Sequence, residues 1–229
     1  MKKNNNYILV SSKPWHKKLL LELNSFFSSD KWFLFNSIQE FNYEKIKIIN
    51  QKFIFVIHWS KIIPEKIHLN FNCILFHMTD LPFGRGGSPL QNLILRGFVQ
   101  TKISAIKVEK KIDSGPVYLK KNLSLNGTAY EIFLRSTGII FNMIKDIINK
   151  KLIPKIQEGE ITFFKRRKPE ESNIDRLKSL EKVYDYIRML DCDGYPHSYM
   201  ENENFIFEFT NANFKNKKYI EANVRITKK

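Results

Sequence analysis

Residues Lys52–His58, KFIFVIH, form a nearly unbroken apolar run. A run of this kind is a strand covered on both faces, as found inside a parallel sheet. Cys73–His77, CILFH, repeats it, and YILV (Tyr7–Val10) and KWFLFN (Lys31–Asn36) supply two more β-type runs. Between the first two, HKKLLLELNSFF has the apolar spacing of an amphipathic helix, and a polar, Lys- and Glu-bearing stretch links the second strand to KFIFVIH. This order predicts an α/β fold with a Rossmann-like, mostly parallel open sheet. Ligands of such sheets collect beyond the carboxyl ends of the strands, which marks three loops: Ser11–Trp15, His58–Pro64 and His77–Ser88.

Further along, PLQNLILRG (Pro89–Gly97) starts on Pro and stops on Gly as a short helix does. Apolar and polar residues alternate on both sides of DSGP, which predicts two strands joined by a turn at Asp113–Pro116. The strongest helix signal begins at Thr128, where Thr128 and Glu131 have capping-box spacing. Beyond it, PEESNIDRLKSLEKVYDYIRML is read as one more helix, and NFIFEFTNANF and YIEANVRI as strands. The expected division is a catalytic domain over 1–158 and a small helix-and-strand subdomain over 159–229.

The chain of 229 residues is 43% hydrophobic, enough for a full core. Its net charge of +15 comes with heavy use of Lys, Asn and Ile throughout, as an AT-rich genome produces. The basic clusters KKNNN, FFKRRKP and KNKK are scattered rather than gathered in a stripe, so no nucleic-acid partner is expected. Cys73 and Cys192 lie far apart, with neither metal-ligand nor disulfide spacing. No stretch is long enough for a membrane span or a secretory signal, so a cytoplasmic location is expected.

His77 follows an apolar strand and precedes a loop rich in Pro and Gly, which aims its ring off the strand's carboxyl end. A single histidine is more often structural, and Asp before Ser-Gly-Pro is a common turn former, so neither His77 nor Asp113 decides anything alone. Together, FHMTDLPFGRGGSPLQNLILRG and, 36 residues after His77, DSGPVY resemble the formyltransferase family that uses N10-formyltetrahydrofolate. His77, Thr79, Leu81, Pro82, Arg85 and Gly86 keep the order of that family's loop, and FIFVIHWSKIIPEKI resembles its folate loop.

Formyl transfer to an amine develops negative charge on the formyl oxygen, which calls for a donor aimed at that oxygen and a group to manage the amine's proton. The resemblance gives these roles to His77 and Asp113. It implies N10-formyltetrahydrofolate held by Ser60, Lys61, Ile62, Ile63, Ile112 and Asp113. Substrate contacts are expected at Ser11, Ser12, Lys13, Thr79, Arg85 and Gly86, with no metal. The family's asparagine two residues before the histidine is Leu75 here, so either a nearby donor such as Asn72, Thr79 or Asn92 replaces it, or a slower subfamily tolerates the loss, or catalysis is lost; the first two are expected over the third.

Methionyl-tRNA formyltransferases carry a sizeable C-terminal β-barrel, and the roughly 70 residues after Glu158 are too few for it. The loop form TDLPFGRGGSPLQNL resembles that of enzymes encoded with surface-carbohydrate or nonulosonic-acid genes. The expectation is therefore an amino-sugar N-formyltransferase acting on a nucleotide-linked amino sugar, with a homodimer through the C-terminal strands left open. The alternatives are a methionyl-tRNA formyltransferase-like enzyme lacking a full barrel, a catalytically inactive binding module suggested by Leu75, and a basic RNA-binding protein.

Overall fold

The computed structural model describes residues 4–229, which leaves Lys2 and Lys3 of the first basic cluster outside the described residues. The elements run β1 (Asn6–Val10), α1 (His16–Phe26), β2 (Lys31–Phe35), α2 (Tyr43–Ile49), β3 (Phe53–Ile57), α3 (Glu65–Asn70), β4 (Cys73–His77), β5 (Arg85–Gly86), α4 (Pro89–Leu95), β6 (Gln100–Lys107) and β7 (Val117–Ser124). After α5 (Ala129–Lys150) come β8 (Phe163–Phe164), a 3-10 turn at Pro169–Ser172, α6 (Leu180–Leu190), β9 (Ser198–Glu201), β10 (Phe205–Lys215) and β11 (Tyr219–Lys228).

The chain divides into two compact units. One holds the residues up to Arg85, Lys102–Leu123 and Ser136–Phe163; the other holds Gly86–Thr101, Ser124–Arg135 and Phe164–Lys229. The first is built on a six-stranded sheet in the order β2-β1-β3-β4-β6-β7. β1 pairs parallel with β2 and β3, and β3 with β4, while β4 meets β6 antiparallel. This is the expected Rossmann-like, mostly parallel sheet. On one face Ile8, Val10, Ile54, Val56 and Cys73 form a buried cluster with Phe41, Ile46 and Ile67, and on the other Tyr7, Leu9, Phe55 and Ile57 are fully buried, so the continuous apolar runs are covered on both faces as their composition requires. Burial pushes the Cys73 thiol up to about 12, and both cysteines are free.

α2 and α3 occupy the polar segments that composition marks only as linkers. With seven and six residues they bury a single isoleucine each, Ile46 and Ile67, too little to print a periodic stripe. The α5 capping box forms as the spacing predicts: Thr128 N donates to Glu131 Oε2 at 2.8 Å and Glu131 N to Thr128 Oγ1 at 3.3 Å.

In the second unit a three-stranded antiparallel sheet runs β11-β10-β9. The single helix expected over 169–190 is instead a 3-10 turn followed, after the irregular stretch 173–179, by α6. Ser179 caps α6 by accepting from Lys182 N at 3.3 Å. Arg188 fixes the preceding chain by donating to the Leu125 and Gly127 carbonyls at 2.7 and 3.1 Å. Met200, Phe205, Val224 and Ile226 on the strands remain exposed. Among the described residues no helix is long and apolar enough to cross a membrane, and no cluster of His, Cys, Asp and Glu is suited to a metal ion.

Candidate active site

Because β1, β3 and β4 are mutually parallel, the loops that follow them leave from one edge of the sheet. His77 is the last residue of β4, paired in register with Ser104 of β6. Ser104 holds the loop beyond: its hydroxyl donates to the Thr79 carbonyl at 2.7 Å and accepts from Leu81 N at 3.3 Å. His77 Nδ1 lies 3.5 Å from Asp113 Oδ2, with both side chains buried, at 7% and 6% exposure. On the other side of the ring Nε2–H donates to the Gly84 carbonyl at 2.8 Å, an acceptor shared with the Thr79 hydroxyl at 3.4 Å.

Asp113 reaches His77 from the loop between β6 and β7 in a left-handed conformation, φ 51°. That turn closes tightly: Lys107 N donates to the Pro116 carbonyl at 2.9 Å, and a Cβ on Gly115 would lie 1.7 Å from the Lys107 oxygen, so no other residue fits there. The two loops share a strap formed by residues 155–162. Lys155 and Val117 exchange backbone hydrogen bonds at 2.7 and 2.9 Å. Gln157 Nε2 donates to the carbonyls of Asp113 and Gly115, both at 2.8 Å, while its Oε1 accepts from Arg85 at 2.8 and 3.2 Å. Thr162 Oγ1 accepts from Gly84 N at 2.7 Å and its carbonyl from Arg85 N at 3.0 Å. The sequence gives no sign of Gln157 or Thr162, which stand singly in an irregular polar stretch.

The remaining expected residues take different positions. Ser60 and Lys61 are exposed, Ile62 is 81% and Ile112 61% exposed, and Ile63 packs against the core cluster, as Trp59, Leu75 and Val108 also do. Thr79 is fully buried and Arg85 is engaged by Gln157, so both brace the loop. Gly86 adopts φ 105° in β5.

Ser12 is exposed, but Ser11 is buried and turned inward, where its hydroxyl accepts from Lys13 N at 3.1 Å and contacts His16 Nδ1 at 2.5 Å. No side chain caps α1, and the His16, Lys17 and Lys18 amides are already bonded to the Lys13, Pro14 and Trp15 carbonyls. The backbone donors of His16, Lys17 and Lys18 at the start of α1 are thus occupied within the chain.

Leu75 has no side-chain substitute among the three proposed. Asn72 lies at the amino end of β4, with its amide 3.5 Å from the Lys52 carbonyl. Thr79 points at Gly84. In the second unit, Asn92 spends its amide on the Gly87, Ser88 and Lys165 carbonyls at 3.1, 3.0 and 2.9 Å.

A second pair of histidines stands on the same edge. Buried His16 opens α1 and partly buried His58 directly follows β3, with ring centroids 5.0 Å apart. His16 Nε2 meets Thr137 Oγ1 at 3.2 Å and His58 Nε2 meets Ser136 Oγ at 3.1 Å. Burial, then the nearby Lys13 charge, lowers His16 to about 4; burial, His16 and Lys13 hold His58 well below the ordinary histidine range.

The same Rossmann-like fold occurs in solved formyltransferase structures. A solved structure described as methionyl-tRNA formyltransferase from Clostridium thermocellum is 48% identical, with a TM-score of 0.95 over 98% of this chain and 100% of that one. The chain belongs to the formyltransferase family, with a methionyl-tRNA formyltransferase-like sequence. Residues 169–227 match the family described as "Methionyl-tRNA formyltransferase, C-terminal domain". A Mesoplasma florum methionyl-tRNA formyltransferase is 32% identical over 71% of this chain and 55% of its own length. The chain spans about half the length of the curated relatives it matches. A Francisella tularensis 4-N formyltransferase shares the fold alone, at 16% identity and a TM-score of 0.65 over 87% of this chain and 93% of that one.

These matches overturn the amino-sugar reading and with it the expectation of a nucleotide-linked amino-sugar partner in place of nucleic acid. The reading rested on too little chain for a tRNA-binding barrel. A solved chain matched along its whole extent by this one bears the methionyl-tRNA formyltransferase name, and residues 169–227, which hold a three-stranded sheet and one helix, match that family's C-terminal domain. Scattered basic clusters are no argument against nucleic acid either, because affinity for a polyanion follows the number of phosphates neutralised rather than the contiguity of lysines in sequence.

Proposed function

We propose that the chain is an enzyme that transfers the formyl group of N10-formyltetrahydrofolate to the amine of methionyl-tRNA, in the cytoplasm. The observation that carries this is the end-to-end likeness to the Clostridium thermocellum protein, taken with the buried pairing of His77 and Asp113. The net charge of +15 suits a tRNA partner.

In this reading His77 is the donor to the formyl oxygen, through the Nε2–H that at rest points to the Gly84 carbonyl. Asp113, on the far ring nitrogen, orients the imidazole and takes part in moving the amine's proton toward the departing N10. The folate supplies the activated formyl group. Exposed Ile62 and Ile112 offer apolar surface of the kind a pterin and its aryl ring bury, while Ser60, Lys61, Ile63 and Asp113 frame it. On the acceptor side, exposed Ser12 and partly exposed Lys13 remain candidates; Ser11, Thr79, Arg85 and Gly86 act by shaping the loops around the acceptor. The test is incubation of the purified chain with N10-formyltetrahydrofolate and methionyl-tRNA, followed by hydrolysis and mass spectrometry. Formylmethionine is expected; none at any enzyme concentration overturns the reading.

A further inference from the structure

The Gln157 side chain uses all of its usual hydrogen-bonding directions within the site. Both amide protons go to the carbonyls on either side of Ser114, at Asp113 and Gly115, and the amide oxygen receives the fork of Arg85. Asp113 is a non-glycine residue at φ 51°, a conformation that surrounding structure must impose. Within the turn Ser114 bonds back to the Lys111 carbonyl, through its amide at 3.4 Å and its hydroxyl at 2.9 Å, while the two bonds from Gln157, 2.8 Å each, hold the Asp113 and Gly115 carbonyls from outside the turn. Arg85 comes from the loop whose Gly84 carbonyl holds the other side of His77. One amide therefore ties the carboxylate's turn to the loop that sets the imidazole.

We infer that Gln157 is a positioning residue for formyl transfer, fixing Asp113 against His77 through its two donated hydrogen bonds. The inference rests on the activity proposed above for the same site. Gln157 touches neither reacting group; it acts through the backbone of the Asp113 turn. The neighbouring backbone exchange between Lys155 and Val117 needs no side chain, so the strap keeps its place when Gln157 is replaced.

Two near-isosteric variants test this. Gln157→Met removes every polar contact, and Gln157→Glu keeps an acceptor for Arg85 but has no N–H for the two carbonyls. Both are expected to lose about 10- to 100-fold in kcat, with KM for the formyl donor within about 3-fold of wild type, because sub-ångström misplacement of a catalytic group acts on the chemical step. Histidine ring 15N chemical shifts, with the His77 signals identified by their loss in His77→Asn, are expected to move in both variants. Circular dichroism confirms that each is folded at the assay temperature. Wild-type kcat in Gln157→Glu, or unmoved His77 shifts in a folded Gln157→Met, overturns the positioning role. If the wild-type chain formylates nothing, the proposed activity fails while the His77 shifts still decide whether Gln157 holds the pair.

Discussion

Two histidine sites stand on one sheet edge, and they differ in what their rings face. His77 lies between a carboxylate and a backbone carbonyl, both acceptors. His16 and His58 face hydroxyls and each other, beside Lys13. His77 and His16 are buried and His58 is partly so. In the proposed reading the neighbours separate a ring that donates to a developing anion from a pair held neutral as packing.

The sharpest break of this contrast is at His77. His77→Ala and Asp113→Asn are each expected to cut formyl transfer by about 10²- to 10⁴-fold, measured in single turnover, whereas His16→Asn should change it little while lowering the melting temperature. Equal losses of rate at both sites would erase the distinction.

A second test uses pH. His16 has an ordinary value of 6.5 and is lowered to about 4 in the folded chain. Below 6.5 the unfolded chain takes up a proton that the folded chain refuses until about 4, so stability is full above 6.5 and falls as pH drops through that window. The loss from this group alone is roughly 3 kcal/mol, and His58 acts in the same direction. Thermal melts between pH 7 and 4.5 should show a steeper decline in wild type than in His16→Asn; parallel slopes contradict a neutral His16.

Leu75→Asn sharpens the active side. Restoring a donor two residues before His77 is expected to raise kcat by up to about 10-fold. It should cost about 1 kcal/mol of stability, because Leu75 packs against the core cluster. An unchanged kcat would mean that the site needs no second side-chain donor. The smallest effect is expected at Asp80. Burial would raise its carboxyl, but Lys102 and Lys120 more than offset this and hold it below the usual carboxylate range. Being 40% exposed, it should lose less than about 1 kcal/mol in Asp80→Asn, read from urea melts.

The strands of the first unit were legible because each announces itself as an apolar run, whereas His77 and Asp113, at a strand end and a Ser-Gly-Pro turn, stood out only through the resemblance of the two segments that carry them. His58 carried the same signal as His77, a histidine closing the apolar run FIFVI, and only its neighbours show that it plays another part. Four-residue β9 and the short helices α2 and α3 lack the length to show a period. In the segment 169–190, Ser179 is the true helix start, masked by the apparent opening at Pro169. The substrate was misjudged through chain length, which limits how much structure can form but not which acceptor it serves. Gln157 was invisible because its role depends on three backbone groups brought together only by folding.

The strap also sets an order of completion. Gly84 waits for a partner 78 residues downstream at Thr162, and Asp113 for one 44 residues downstream at Gln157. During synthesis the histidine and its carboxylate emerge long before the segment that fastens them, so a growing chain can form its sheet and still lack a finished site. Ribosome-stalled chains ending shortly before Gln157 should leave the 78–85 and 108–116 loops open to protease, and chains with Thr162 clear of the exit tunnel should protect them.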